Sequence, residues 1–431
     1  MLVYDLHRDL VPLPGAENVS ATRTQDSISL SLGEERLVVQ SSGARVVYDF
    51  AGARVLRIDE ATRTYRDDSL YSIAGFRLQE WRHLALLMQA VAAGGGEIDA
   101  GLRAVDRTTF FGLAPVGEDG GAEPKVSNTD AGLTFRHGDE VVSQFEPATA
   151  QLAAPQLRAW RRFLAYECHL HPAVRQRIVD VSAAPARLET LVRFGPVSLA
   201  TTMTLAGRSA EEPAIGVPDG FTLGIRDGPP WRRHHVAAAR PVDAPDERLA
   251  SDRGPYDYDG IERGRDVARV LEAGRHLEAF LLAHLHYLQF GHAEIFHAVL
   301  PHVERDRGVR KLRKYMEPKA QKDARRALQS FRRFRKKAGS ATLLLDIYAA
   351  NLHEMLGDSE QAETLFLAAL AKNPRLAGVW HDLGLTYFKR FCMGEAWQCW
   401  DAGRRACPRH PMLEAQDDRE KQMREEYPDF F

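Results

Sequence analysis

The sequence predicts an α+β protein in two parts: an N-terminal curved antiparallel β-sheet with covering helices, and a C-terminal all-α array of repeated helix pairs. Three observations carry this reading. Residues 26–66 alternate short β-branched runs with Gly-containing breaks. Seven prolines crowd 208–260, at positions 213, 218, 229, 230, 241, 245 and 255. The last quarter of the chain repeats itself every 34 residues, with Pro374 and Pro408, Ala362 and Ala396, and Phe366 and Trp400 each that far apart.

In the first part, Val46, Val47, Val55, Leu56 and Ile58 sit in runs separated by LGEE, SSGA, FAGA and DEAT. Strict alternation places every second side chain on one face, and glycine supplies the turns, so a meander of four or five strands is expected. The period then changes. Phe76, Leu78, Trp81, Leu84, Leu86, Leu87 and Val91 recur near helical spacing up to the stop at Gly94–Gly96, giving a helix to cover the sheet. Residues 112–131, rich in Gly and Asp, predict a loop. Strands follow at about 132–146, a helix at 154–168, and two strands at 187–195 and 197–206. Proline lacks the donor that helix interiors and central strands need, so 211–260 is expected to be an irregular connector between a domain at 1–210 and one beginning at 261.

Beyond the connector the pattern is helical. The stretch 261–342 contains a basic pair of helices divided at Pro318, which suits the first turn of the second helix. From Arg305 to Lys337 there are fifteen Lys and Arg against three acids, a net excess of twelve. Apolar residues Val309, Leu312, Met316, Ala320, Ala324, Leu328 and Phe331 recur every three or four positions, so one face packs and the rest is cationic. Arg325, Arg326, Arg332, Arg333, Arg335, Lys336 and Lys337 form the basic patch, suited to an acidic partner or an anionic surface. Little aromatic interleaving accompanies it, which argues against nucleic acid.

The 34-residue units span 343–376 and 377–410. The second carries Trp380, Leu383, Gly384, Tyr387, Ala396, Trp400 and Pro408, and the first carries Gly357, Ala362, Phe366, Ala369 and Pro374. These positions resemble the tetratricopeptide repeat. Departures fall at Gly403, where that family usually has Ala, at Ala349 and Ala350 in place of Leu-Gly, and at His353 in place of Tyr. Each unit is then two antiparallel helices that bury their apolar faces only by stacking. The resemblance implies a concave protein-binding surface lined by the first helix of each pair, offering Leu344, Ile347, Asn351, Glu354 and Met355, then His381, Leu385, Phe388 and Lys389. Ile347 stands where relatives with a carboxylate clamp carry lysine. Residues 411–431 read as a polar capping helix and tail, with Phe430 and Phe431 folded back onto the stack. Element order in about 20–210 resembles, more distantly, the bacterial lipoprotein-carrier superfamily. That likeness implies an apolar cavity lined by Val47, Tyr48, Leu56, Trp81 and Leu87.

Global properties narrow the function. At 431 residues the chain exceeds one compact core. Its net charge of −2 leaves any polyanion binding to local patches. Cys168, Cys392, Cys399 and Cys407 form no CxxC pair, so no disulfide framework or zinc site is expected. The first residues lack the charged start and apolar run of a signal peptide, and no 18-residue apolar stretch predicts a membrane span, so a cytoplasmic protein is expected, or a periplasmic one had a leader been removed. Among sixteen histidines, His284 and His286 are two apart and diverge on a helix. His169 and His171 would share a face only on a strand, and His234 and His235 lie in the connector. No HExxH, GxSxG or phosphate-cradling loop occurs. The resulting expectation is a non-enzymatic adaptor without metal or cofactor. The alternatives are a carrier or sensor of a hydrophobic ligand in the sheet domain, and an enzyme of unknown class.

Overall fold

The computed structural model describes residues 1–12, 20–94, 124–129, 132–168, 170, 172–194, 197–210, 213–223, 265–316, 321–428 and 430–431. Contacts divide the chain into two units, Met1–Gly224 with Gln422–Phe431, and Ile225–Lys421. Most of the connector, Pro318, and the histidines at 169, 171, 234 and 235 lie outside the described residues.

The first unit is an antiparallel sheet. Thr22–Leu32 (β2), Arg36–Gln40 (β3), Ala44–Asp49 (β4), Arg54–Asp59 (β5) and Thr64–Ser69 (β6) form the expected meander, each strand pairing with the next. Beyond the predicted strands, Leu2–Pro12 (β1) pairs with β2 on one side and with Val197–Arg208 (β11) on the other. The sheet continues from β11 through Ala183–Phe194 (β10), Glu140–Gln151 (β9) and Gly132–His137 (β8) to Lys125–Thr129 (β7). β7 falls inside the stretch predicted as a loop: it forms a local hairpin with β8, and all five of its side chains are exposed, so no apolar alternation marks it. Thr222–Leu223 (β12), within the predicted connector, adds a two-residue parallel edge to β6.

β6 passes directly into a helix, Leu70–Ala93 (α1). The Ser69 hydroxyl accepts from Tyr71 N–H at 3.2 Å, the role that favours serine before a helix. The predicted helix over 76–91 is thus the later part of a longer one. The side chains of Trp81 and Leu87 lie outside the description. Ala154–Tyr166 (α2) covers β2 and β3, burying Trp160, Phe163, Leu164 and Tyr166. Pro172–Asp180 (α3) follows, with Val174 and Ile178 buried.

The second unit is helical: residues 265–272, then His276–Phe290 (α4), Glu294–Val303 (α5), Arg307–Met316 (α6), Gln321–Arg335 (α7), Thr342–Met355 (α8), Ser359–Lys372 (α9), Ala377–Lys389 (α10), Met393–Ala406 (α11) and Glu414–Glu426 (α12), whose last residues belong to the first unit. α8/α9 and α10/α11 are the two helix pairs that the 34-residue spacing predicts. Trp380, Tyr387 and Trp400 are at most 1% exposed. Trp380 Nε1 donates to the Pro374 carbonyl at 2.9 Å, and Trp397 Nε1 donates to Glu420 at 2.8 Å, so each indole buries its ring without stranding its N–H. Glu363 on α9 accepts from the Tyr387 hydroxyl at 3.1 Å and from Arg390 at 2.6 Å, which ties the first pair to the second. Burial raises the Glu363 carboxyl above its ordinary range even though both bonds oppose the shift.

One expectation is corrected. Phe430 and Phe431 do not fold onto the helical stack; they pack within the first unit, against Tyr166 and Tyr71. Those two rings provide seats that the polar outer face of α12 lacks.

Candidate functional site

The expected concave surface is built by the first helix of each pair, α8 and α10. The 34-residue register aligns Leu344, Ile347, Asn351, Glu354 and Met355 with Gly378, His381, Leu385, Phe388 and Lys389. The same step reaches Arg419 on α12 from Leu385. Within the capping helix, adding 34 to Leu385 is the signal that locates Arg419.

The early part of this face is filled from within the unit. α4 packs against both α8 and α10. His284 bonds the Tyr348 hydroxyl at 2.9 Å. Gln289 accepts from Asn373 at 3.2 Å, and the ring of His410 donates from Nε2 to the Tyr287 carbonyl at 2.9 Å. Leu288 closes on Gly378, where an added Cβ would lie 2.7 Å from its Cδ2. Leu344 and Ile347 are consequently 0% and 1% exposed, and neither has surface to offer. Burial holds His284 down at about 4, and His410 is lowered for the same reason.

The later part of the face remains accessible. Met355 and Lys389 are exposed, and Asn351, Glu354, His381, Leu385 and Phe388 are partly so. Its polar groups are cross-linked between helices. Asn351 donates to Asp382 at 3.1 Å, and Lys389 bonds Glu354 at 3.1 Å. His381 reaches Asp382 at 3.0 Å. These bonds hold α8 and α10 in register and fix the groups around Leu385.

Arg419 differs from its neighbours. Its guanidinium lies 4.4 Å from the centroid of the Phe388 ring and 5.8 Å from that of Trp400. Its buried Nη1 has no hydrogen-bond partner among the described residues, and burial lowers its pKa with no acid opposing the shift. A cation stacked on an aromatic face is stabilised by about 0.5–2 kcal/mol, and Arg419 has no acidic partner among the described residues. The accessible face therefore combines an apolar strip, Met355–Leu385–Phe388, with an uncompensated cation at one end.

The basic patch is also solvent-facing. Arg325, Arg326, Arg332, Arg333, Arg335, Lys336 and Lys337 are all exposed, while Val309, Leu312, Ala324, Ala327, Phe331 and Phe334 are buried beneath them. Arg335 pairs with Asp346 and Arg326 lies 3.8 Å from Asp323. Arg325, Arg332, Arg333, Lys336 and Lys337 have no acidic partner among the described residues.

In the sheet unit, Val47 and Tyr48 are 2% and 1% exposed, Leu56 is half-buried, and the Tyr48 hydroxyl donates to Glu167. A cavity of about 220 Å³ opens elsewhere, between β1, β2, β10, β11 and α2. Leu6, Ile28, Phe163, Leu188 and Met203 line it, with Arg8, Glu167 and Cys168 as polar groups. Burial raises the Cys168 thiol well above its ordinary pKa, so it is protonated at neutral pH and a poor nucleophile. Among the described residues no group of three or more His, Cys, Asp or Glu is placed to hold a metal ion, and no helix is long and apolar enough to cross a membrane. Comparison with known proteins adds no relative: no family model matches the chain, and neither a curated protein nor a solved structure does.

Proposed function

We propose that the chain is a non-enzymatic adaptor of the tetratricopeptide type, which holds an acidic segment of another protein along α8, α10 and α12. The observation that carries this reading is the row Asn351–Leu385–Arg419, one 34-residue step apart, with a cation that no acid among the described residues neutralises. Met355, Leu385 and Phe388 supply the apolar contact, and Arg419 the preference for carboxylate. The basic patch on α7 extends the same preference. All four cysteines are free thiols, which supports a reducing, cytoplasmic setting.

A random-peptide display library selected against the full chain tests the reading. Selected peptides are expected to be enriched in Asp and Glu and to lose at least about ten-fold in affinity against Leu385→Asp. Arg419→Gln should weaken them about ten-fold, the effect of removing a hydrogen bond to a charged group. Selection of no peptide, or of peptides that bind Leu385→Asp as well as the wild type, would discard the groove as the binding surface.

The 220 Å³ cavity supports a second reading, in which the sheet unit holds a small hydrophobic ligand. An apolar cavity of about 150 Å³ already takes a benzene-sized molecule. A short-chain fatty acid should then raise the melting temperature of the chain, and Met203→Trp should abolish the rise. An unchanged melting temperature would discard this reading.

A further inference from the structure

The last residues of the chain are held in the sheet unit in the manner of a bound peptide. After α12 the backbone turns, with Phe430 N–H donating to the Tyr427 carbonyl at 3.0 Å. The Phe430 ring is 3% exposed. It meets Tyr166 edge-on, at 6.1 Å and 87°, and the guanidinium of buried Arg175 lies 4.9 Å from its centroid. Phe431 stacks on Tyr71 at 4.8 Å and 27°. Arg424 lies over both of those rings and donates to the Tyr71 hydroxyl. The backbone is gripped as well. The Tyr166 hydroxyl donates to the Phe430 carbonyl at 3.1 Å, and Arg162 Nη2 donates to the Phe431 oxygen at 2.5 Å.

Three features separate this from ordinary core packing. The gripping groups come from α1, α2 and α3, at sequence separations of up to 360 residues, between Tyr71 and Phe431. Consecutive main-chain oxygens are bonded by side-chain donors rather than by secondary structure. Each ring also has its own aromatic seat, and aromatic pairs contribute beyond their area alone. Arg162 is itself fixed, donating to the Glu34 carbonyl at 3.0 Å and lying 4.0 Å from the Phe50 ring centroid, so the cradle is pre-organised.

We propose that Tyr71, Arg162, Tyr166 and Arg175 form a peptide-binding site for a pair of consecutive aromatic residues, filled here by the chain's own Phe430–Phe431. A tethered ligand acts at an effective concentration on the order of 1 mM. A site with an intrinsic Kd of roughly 100 μM is then about 90% self-occupied, and a competing peptide binds about ten-fold more weakly than to the vacant site.

The test uses a chain ending at Glu426 and a fluorescent synthetic peptide spanning residues 422–431, followed by anisotropy. The shortened chain should bind the peptide saturably and the intact chain about ten-fold more weakly. Tyr166→Phe in the shortened chain should cost about five-fold, the effect of one neutral hydrogen bond. A folded shortened chain that ignores the peptide, or that binds a version with both phenylalanines replaced by alanine equally well, would overturn the proposal. If the shortened chain does not fold, the full-length Phe431→Ala variant replaces it. Backbone hydrogen exchange across residues 162–175 should then be faster than in the wild type and slowed by excess peptide, and an absence of slowing would equally overturn it.

Discussion

The two helix pairs share one register but solve the same packing problem differently. In the second, Gly384 faces Trp400, and a Cβ added at Gly384 would lie 2.2 Å from the indole Nε1. The positions 34 residues earlier are Ala350 and Phe366, both fully buried. The smaller ring leaves room for the methyl group, and the larger ring requires its absence. Summed volume across the pair is therefore the conserved quantity, not the residue at either position, as close packing demands. A second difference lies at the turn after the first helix. Gly357 adopts φ +80° in the first pair, and Phe391 adopts φ +60° in the second. A left-handed phenylalanine is a strained substitute for glycine, and its ring is 41% exposed.

Trp400→Ala should break the comparison hardest. Removing a fully buried indole costs about 3–5 kcal/mol, read as a fall in the urea midpoint of the helical transition. Phe366→Ala should cost toward the lower end of that range.

Acid tests how α4 is seated against both pairs, through His284 on Tyr348 and His410 at the end of the second pair. The folded-state pKa of His284 is lowered from 6.5 to about 4, so the neutral form is preferred in the folded state. Full stability is present above pH 6.5 and is lost as pH falls from 6.5 toward 4, by about 3 kcal/mol for this group. Denaturation midpoints at pH 7.5 and 4.0 measure the loss, and His284→Gln should flatten the dependence.

Gly384→Ala should cost about 1–3 kcal/mol by overpacking. Adding Trp400→Phe recreates the Ala350/Phe366 combination and should recover most of that loss, a coupling visible as non-additivity in a double-mutant cycle. The smallest effect is expected at the turn. Phe391→Gly should raise stability by about 0.5–1 kcal/mol, and the mirror change Gly357→Ala should lower it by about 1 kcal/mol. Thermal melts of the two variants should move in opposite directions.

Much of this architecture is visible in the sequence because it is local. Strand alternation in 26–66 and the 34-residue step both follow from periods that a side-chain pattern records directly. Leu2–Pro12 and β7 were less visible. β1 is specified by partners on both sides, β2 and β11, the latter nearly 200 residues away, whereas β7 is a local hairpin strand whose side chains are all exposed and so carry no apolar pattern. The candidate groove was legible only in part. Register placed Asn351, Leu385 and Phe388 on one face, but nothing local announces that α4 covers Leu344 and Ile347. Arg419 is one arginine in a polar helix until Phe388 and Trp400 are seen beneath it.

By itself the sequence determined the α+β division, the two helix pairs and the cationic face of α7, since each rests on periodicity or on charge summed over a short window. Only the tertiary structure decided which part of the repeat face stays open, where the cavity of the sheet unit lies, and that Phe430 and Phe431 sit against Tyr166 and Tyr71. Those outcomes depend on contacts between residues tens to hundreds of positions apart. There, burial and hydrogen-bond satisfaction are set by which surfaces meet, and no local pattern encodes the meeting.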